Sequence, residues 1–186
     1  MGKFDFSKVG GAKISEKGEP LTPNVRNAGV DAAGKPVQEK YAANYELEVS
    51  RCIALTSRNK KNLFIAECLV TASDNPAHPV GCKRSWVQDI DIDAGPGALK
   101  AFVVACLGID HRSAEGKEAI KELEDKFEAI MTEALEDESE PACKNGFKGA
   151  CVKVEVKEID TKPKTKGGEA GKFNLHTFSP VAKKAA

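Results

Sequence analysis

The sequence predicts a mainly β, α+β domain in which five antiparallel strands form a small barrel and a helix pair is inserted between the third and fourth strands. Three observations carry that expectation. Apolar and polar residues alternate with a period of two in the first strand segment after residue 44, and two more strand-like runs follow before residue 91. The period lengthens to 3.6 after Gly95-Pro96-Gly97. It returns to two after residue 150.

The first strand spans Tyr45 to Leu55, where Tyr45, Leu47, Val49, Ile53 and Leu55 share one phase and Arg51 interrupts it. A polar hairpin loop, Thr56 to Asn62, leads to a second strand over Leu63 to Thr71, apolar on both phases except at Glu67 as a central strand should be. Asn75-Pro76 and His78-Pro79 mark the loop before a third strand, Cys82 to Ile90. Gly95-Pro96-Gly97 opens a well-buried helix over Ala98 to Leu107, and Gly108 can close it in the left-handed conformation that follows many helices. Ser113 is the expected N-cap of a second helix running to about Leu135, with an apolar stripe through Ile120, Leu123, Phe127, Ile130 and Met131. Val152, Val154 and Val156 give the fourth strand, and Phe173 to Phe178 the fifth after a lysine-rich loop from Asp160 to Lys172. Residues 1 to 40, rich in Gly, Pro and Lys, are expected to be a flexible arm anchored by Phe4 and Phe6, residues 41 to 180 the domain, and 181 to 186 a short basic tail.

At 186 residues, 41% hydrophobic and 30% charged, the chain suits one folded domain and is too apolar for wholesale disorder. No apolar run approaches the length of a membrane span, and the first eight residues lack the apolar stretch and cleavage site of a secretory signal, so a cytoplasmic protein is expected. The six cysteines form no C-x-x-C pair and sit mostly in apolar or alternating segments, which points to reduced thiols rather than a disulfide framework or a zinc site. The aspartates Asp89, Asp91 and Asp93 lack a partner His or Glu at ligand spacing, and neither a phosphate loop nor a nucleophile motif is present. Neither catalysis nor a cofactor is expected.

The formal net charge of zero hides a segregation. Residues 113 to 141 hold three bases against eleven acids, a net of −8, which leaves +8 for the rest of the chain. The order strand, strand, strand, helix pair, strand, strand is that of the OB-fold, whose ligands lie across strands two and three, gripped by the loops joining strands one to two and four to five. Those two loops are the basic ones here. The first holds Arg58, Lys60 and Lys61, and the second Lys162, Lys164, Lys166 and Lys172. Lysines along a groove neutralise phosphates, and aromatic rings give bases a sequence-tolerant stacking surface. Lys83, Arg84 and Trp86 on the third strand and Phe173 on the fifth complete the candidate site for single-stranded nucleic acid.

The segments Tyr45-Glu-Leu-Glu-Val49, Phe64-Ile-Ala-Glu-Cys-Leu-Val70, Pro79-Val-Gly-Cys-Lys-Arg-Ser-Trp86 and Ala101-Phe-Val-Val-Ala-Cys-Leu-Gly108 resemble phage-encoded OB-fold proteins of the single-stranded-DNA-binding type. The resemblance covers roughly residues 12 to 112 and implies a role in replication or recombination. The chain departs from bacterial single-strand binders in lacking an acidic, aromatic-tipped C-terminus. An acidic docking surface for replication or recombination proteins is therefore expected instead at the end of the second helix, through Glu133, Glu136, Asp137, Glu138 and Glu140. The rival expectation is a structural or assembly module of a virus particle, for which the basic loops would be incidental.

Overall fold

The computed structural model describes residues 6–15, 21–23, 42–160 and 172–181, and for 21–23, 160 and 172–174 the backbone alone. Its elements are α1 (Ser7–Gly11), β1 (Leu21–Pro23), β2 (Ala43–Thr56), β3 (Asn62–Ser73), β4 (Lys83–Asp89), α2 (Gly95–Cys106), α3 (Ala114–Leu123), α4 (Phe127–Ala134), β5 (Cys151–Asp160) and β6 (Lys172–Pro180). A 3-10 turn over Glu124–Lys126 joins α3 to α4. All strands pair antiparallel in one sheet of order β1-β4-β3-β2-β5-β6, with the helical segment α2 to α4 between β4 and β5. The five expected strands are β2 to β6. Their hydrogen-bonded order is open: β4 pairs at its edge with β1 and not with β6.

The inner face of the sheet is apolar because alternate residues of every long strand point there. Leu47 and Val49 of β2, Phe64, Ala66 and Val70 of β3, Trp86 of β4, Val152 and Val154 of β5 and Phe178 of β6 are buried in one core. Helix α2 crosses that face and is buried on almost every side, as its apolar circumference requires. Pro96 sits in its first turn. At its end the Gly108 N–H bonds to the Ala105 carbonyl and the Ile109 N–H to the Val104 carbonyl, with Gly108 at φ +79°. This crossed pair satisfies carbonyls that the helix leaves open, and the left-handed backbone it needs is the reason for glycine at that point. Ser113 caps α3 by accepting a bond from the Gly116 N–H at 2.9 Å.

Three sequence expectations need correction here. The helix expected from Ser113 to Leu135 is two helices with a 3-10 turn between them. Helix α1 runs against that turn so closely that a Cβ on Gly10 would lie 2.4 Å from the Glu124 carbonyl oxygen. The buried Lys100 ammonium donates to the Gly10 carbonyl, reaches the Glu124 carboxylate at 3.4 Å and lies 5.2 Å from the centre of the Phe127 ring, tying α1, α2 and the turn together. Within the expected arm, then, residues 6–15 belong to the domain, with Phe6 and Val9 in its core, and 21–23 extend the sheet.

The third correction concerns the phase of β2. Pairing with β3 slips between Val49 and Arg51, so Ser50 is an extra residue that opposes nothing. A one-residue bulge moves every following side chain to the other face. Arg51, Ile53 and Leu55 therefore point outward, while Cys52 points inward and is fully buried. A second slip in the β2–β3 ladder falls between Glu46 and Leu47.

No helix among the described residues is long and apolar enough to cross a membrane. The six cysteines are all unpaired.

Candidate nucleic-acid interface

The hairpin turn between β2 and β3 is built by its own backbone. The Lys60 N–H bonds to the Ser57 carbonyl and the Ser57 N–H to the Lys61 carbonyl, with Lys60 in the left-handed region at φ 59°. The Asn62 side chain and backbone N–H both donate to the Asp91 carboxylate, which holds the start of β3 to the segment after β4 and keeps that carboxyl below its ordinary range. Arg58 and Lys60 project into solvent with no ion-pair partner among the described residues. Lys61 is not free in this sense: its ammonium lies 3.0 Å from the buried Asp89 carboxylate.

The β4 candidates divide. Lys83 is exposed at the start of the strand. Arg84 and Trp86 are corrections, because both point to the inner face, in register with Cys68 and Ala66. Trp86 is fully buried, stacked on Phe102 with ring centres 5.0 Å apart and edge-on to Phe178 at 5.0 Å. It cannot meet a base there. The Arg84 guanidinium reaches the Ala77 carbonyl at 3.5 Å, beside a buried polar group that the sequence did not reveal. In it the Tyr45 hydroxyl bonds to His78 Nδ1 at 2.9 Å and accepts from the Asn75 amide at 3.0 Å. Burial pushes the Tyr45 phenol above its ordinary range. This group seats the β3–β4 loop, and the only sequence sign of it was polar residues beside two prolines.

Lys162, Lys164 and Lys166 lie outside the described residues, and so do the side chains of Lys172 and Phe173. The backbone of the last two is strand, with Lys172 paired to Asp160 and Phe173 to Ile159, so β6 starts at the last residue of the expected loop. Pairing also fixes where the two basic loops leave the sheet. The β2–β3 turn follows Thr56 at one end of the strands, whereas β5 runs on past its pairing with Ala43 toward the opposite end before its loop begins. The ends of β3 alone are on the order of 35 Å apart at about 3.3 Å per residue. The two loops thus leave the sheet at opposite ends of the strands.

Between them, the outward face of β2 to β4 carries Leu63, Ile65, Glu67 and Leu69 of β3 and Lys83, Ser85, Val87 and Asp89 of β4, of which Ile65, Ser85 and Asp89 are buried. Every aromatic side chain among the described residues is buried. The acidic segment is partly engaged. Glu133 lies 3.5 Å from Lys144, the Asp137 carboxylate accepts from Ser139, and the Glu136 carboxylate lies 3.8 Å from Arg51. A shallow cleft of about 500 Å³ lies toward the β5–β6 side of the sheet, lined among others by Asn44, Asp74, Arg112, Lys153 and Thr177. Its charges are mixed, and Lys153 is already 3.4 Å from Glu46. No group of three or more His, Cys, Asp or Glu among the described residues is arranged to hold a metal ion. No protein-family model matches this chain, and no curated protein is similar to it.

Proposed function

We propose that the protein binds single-stranded DNA on an OB-type sheet, in the cytoplasm, in support of replication or recombination. The observation that carries this reading is the joint arrangement of strand pairing and charge. β2–β3, β3–β4, β2–β5 and β5–β6 pair with the helices between β4 and β5, and the β2–β3 turn holds Arg58 and Lys60 exposed, with no ion-pair partner among the described residues. That pairing is the order of a Greek-key barrel one ladder short of closure. The ladder that would complete it joins β4 to β6, and side chains of those two strands, Trp86 and Phe178, touch in the core. The acids, by contrast, gather in the helical segment between β4 and β5.

With the described aromatics buried, contact runs mainly to phosphates, so binding is tolerant of sequence and strongly salt-dependent. Phe173 is the stacking residue this reading retains. Fluorescent single- and double-stranded oligonucleotides titrated at two salt concentrations test it. Single strands should bind more tightly than duplex, and their affinity should fall steeply with salt. Changing Lys162, Lys164 and Lys166 together to Glu should weaken binding to all sequences and flatten the salt dependence. No binding to single strands at low salt overturns the proposal.

One observation favours a second reading, an assembly module. The bulge at Ser50 turns Ile53 and Leu55 outward, and an aliphatic strip on a sheet suits a protein partner better than phosphates. Self-association or capture of a partner that is indifferent to oligonucleotide and to salt would support that reading against the first.

A further inference from the structure

The same bulge brings to the outward face a cation that the alternating pattern assigned to the core. Arg51 of β2 stands in register with Glu67 of β3, and Glu67 with Ser85 of β4. The guanidinium makes a two-pronged contact, Nε to one Glu67 oxygen at 2.7 Å and a terminal nitrogen to the other at 3.1 Å. A second carboxylate, that of Glu136, lies 3.8 Å away. The pair is not sealed in, since the Arg51 side chain is 32% exposed and that of Glu67 17%. Its position matters. Along the direction of β3, the exposed Lys60 at the turn and Lys83, in register with Leu69, are separated by on the order of 25 Å, and Arg51 lies between those levels.

We infer that Arg51 is a phosphate ligand of the single-strand site and that Glu67 is the built-in competitor which occupies it. The inference rests on the single-strand-binding reading above. A guanidinium offers a carboxylate and a phosphate the same planar pair of N–H donors, so one can replace the other without moving the arginine far. The pair is still open to water and salt, so an incoming phosphate can compete with Glu67 for the same donors. The two carboxylates around Arg51 also repel an approaching phosphate, so they set the affinity of this part of the face. Arg51 is thereby the continuation of the basic turn toward Lys83, switched by what its own sheet places opposite it.

The test removes the competitor and keeps its shape. Glu67→Gln should tighten single-strand binding several-fold at low salt and steepen the slope of log affinity against log salt by about 0.7, the share of one added phosphate contact on a single strand. Glu48→Gln is the control, because Glu48 is exposed on the outward face of β2 with no ion-pair partner among the described residues, and its loss removes the same charge without freeing a cation. It should leave the slope unchanged. The double variant Arg51→Gln with Glu67→Gln, an uncharged pair that can still hydrogen-bond across the strands, should lose the gain. Thermal unfolding of each variant verifies that it is folded. If Glu67→Gln matches Glu48→Gln in affinity and slope while the natural chain binds, Arg51 is only a cross-strand brace and the inference fails alone. If the natural chain and all variants ignore oligonucleotides at low salt, the functional reading itself fails.

Discussion

Trp86→Ala separates a core from a binding groove more cleanly than any other single change. Trp86 is the only tryptophan, is fully buried, and touches three other rings: Phe102 and Phe178 at 5.0 Å between centres and Phe64 at 6.2 Å. Truncating a buried aromatic to alanine costs about 3–5 kcal/mol through lost transfer energy and the cavity left behind. The three ring contacts put Trp86 at the upper end of that range. One contribution runs the other way, because the buried indole N–H has no hydrogen-bond partner among the described residues and its removal returns about 1–3 kcal/mol of desolvation cost. The net expectation stays near 4 kcal/mol, a large part of the stability of about 5–15 kcal/mol that a domain of this kind has. At roughly 2–4 °C per kcal/mol for this size, the midpoint of thermal unfolding should fall by about 8–16 °C. Trp86→Phe, which keeps a ring and discards the unpaired N–H, should lose much less. Calorimetry or circular dichroism measures both. The same tryptophan reports on ligand: its emission should be that of a buried indole and should hold steady as oligonucleotide is added. A Trp86→Ala protein that unfolds at the natural temperature but binds single strands poorly would refute the burial argument and return Trp86 to the groove.

The remaining expectations concern packing, capping and pH. Gly10→Ala should destabilise by about 1–3 kcal/mol in a thermal or denaturant melt, since the new methyl meets the Glu124 carbonyl, whereas Gly11→Ala, with open space around the added carbon, should be neutral or slightly stabilising. Ser113→Ala should cost about 1 kcal/mol, because it deprives the Gly116 N–H of its acceptor at the start of α3. Burial pushes the Cys68 thiol up from 9.0 to about 12, so its neutral form is held in the fold while the unfolded chain ionises from about pH 9. The sign is that this contribution to stability is fully present below pH 9 and is lost as pH rises toward 12, and Cys68→Ala or Cys68→Val should flatten that stretch of a stability–pH curve. A curve with the same slope in the variant would refute it.

Much of the architecture was legible because it depends on period alone. The five longer strands, the switch near Gly95, the glycine stop at Gly108 and the Ser113 cap all follow from spacing and from residues with one strong backbone preference. Tertiary contacts decided the rest. The break between α3 and α4 lies where α1 presses its Gly10 against the Glu124 carbonyl, a contact between residues more than a hundred positions apart that no local window contains. Barrel closure depends on which edge β4 accepts, and β1, three residues in a segment read as an arm, takes it. The site was less legible than the fold. Exposed lysines in turns, Arg58 and Lys60, can be read from polarity, but a ring on a strand tells nothing about which face it occupies until the register is known. Trp86 and Arg84 share the parity of Gln88, and the register with Ala66 and Cys68 puts all three inward.

The interruption at Arg51 was the one irregularity in the first strand that the sequence displayed, and its meaning follows from comparing two registers. Regular alternation would bury Ile53 and Leu55, a gain of about 1.5–3 kcal/mol for each side chain fully removed from water. It would also drive the Arg51 guanidinium into the apolar core, where the effective desolvation cost is several kcal/mol, with Glu67 pointing the opposite way and unable to pair with it. Cys52 would move out of the core and leave its volume unfilled beside Cys68 and Ala66. The two aliphatic gains are offset by the buried charge and the void, and the bulge resolves the conflict. One unpaired residue, Ser50, lets Val49 and Cys52 both face inward and places the guanidinium against a carboxylate at the surface. The aliphatic strip of Ile53 and Leu55 is then a consequence of where the charge had to go. That is why the outward face combines an aliphatic strip with a held cation, and why both readings of the protein's function meet on that face.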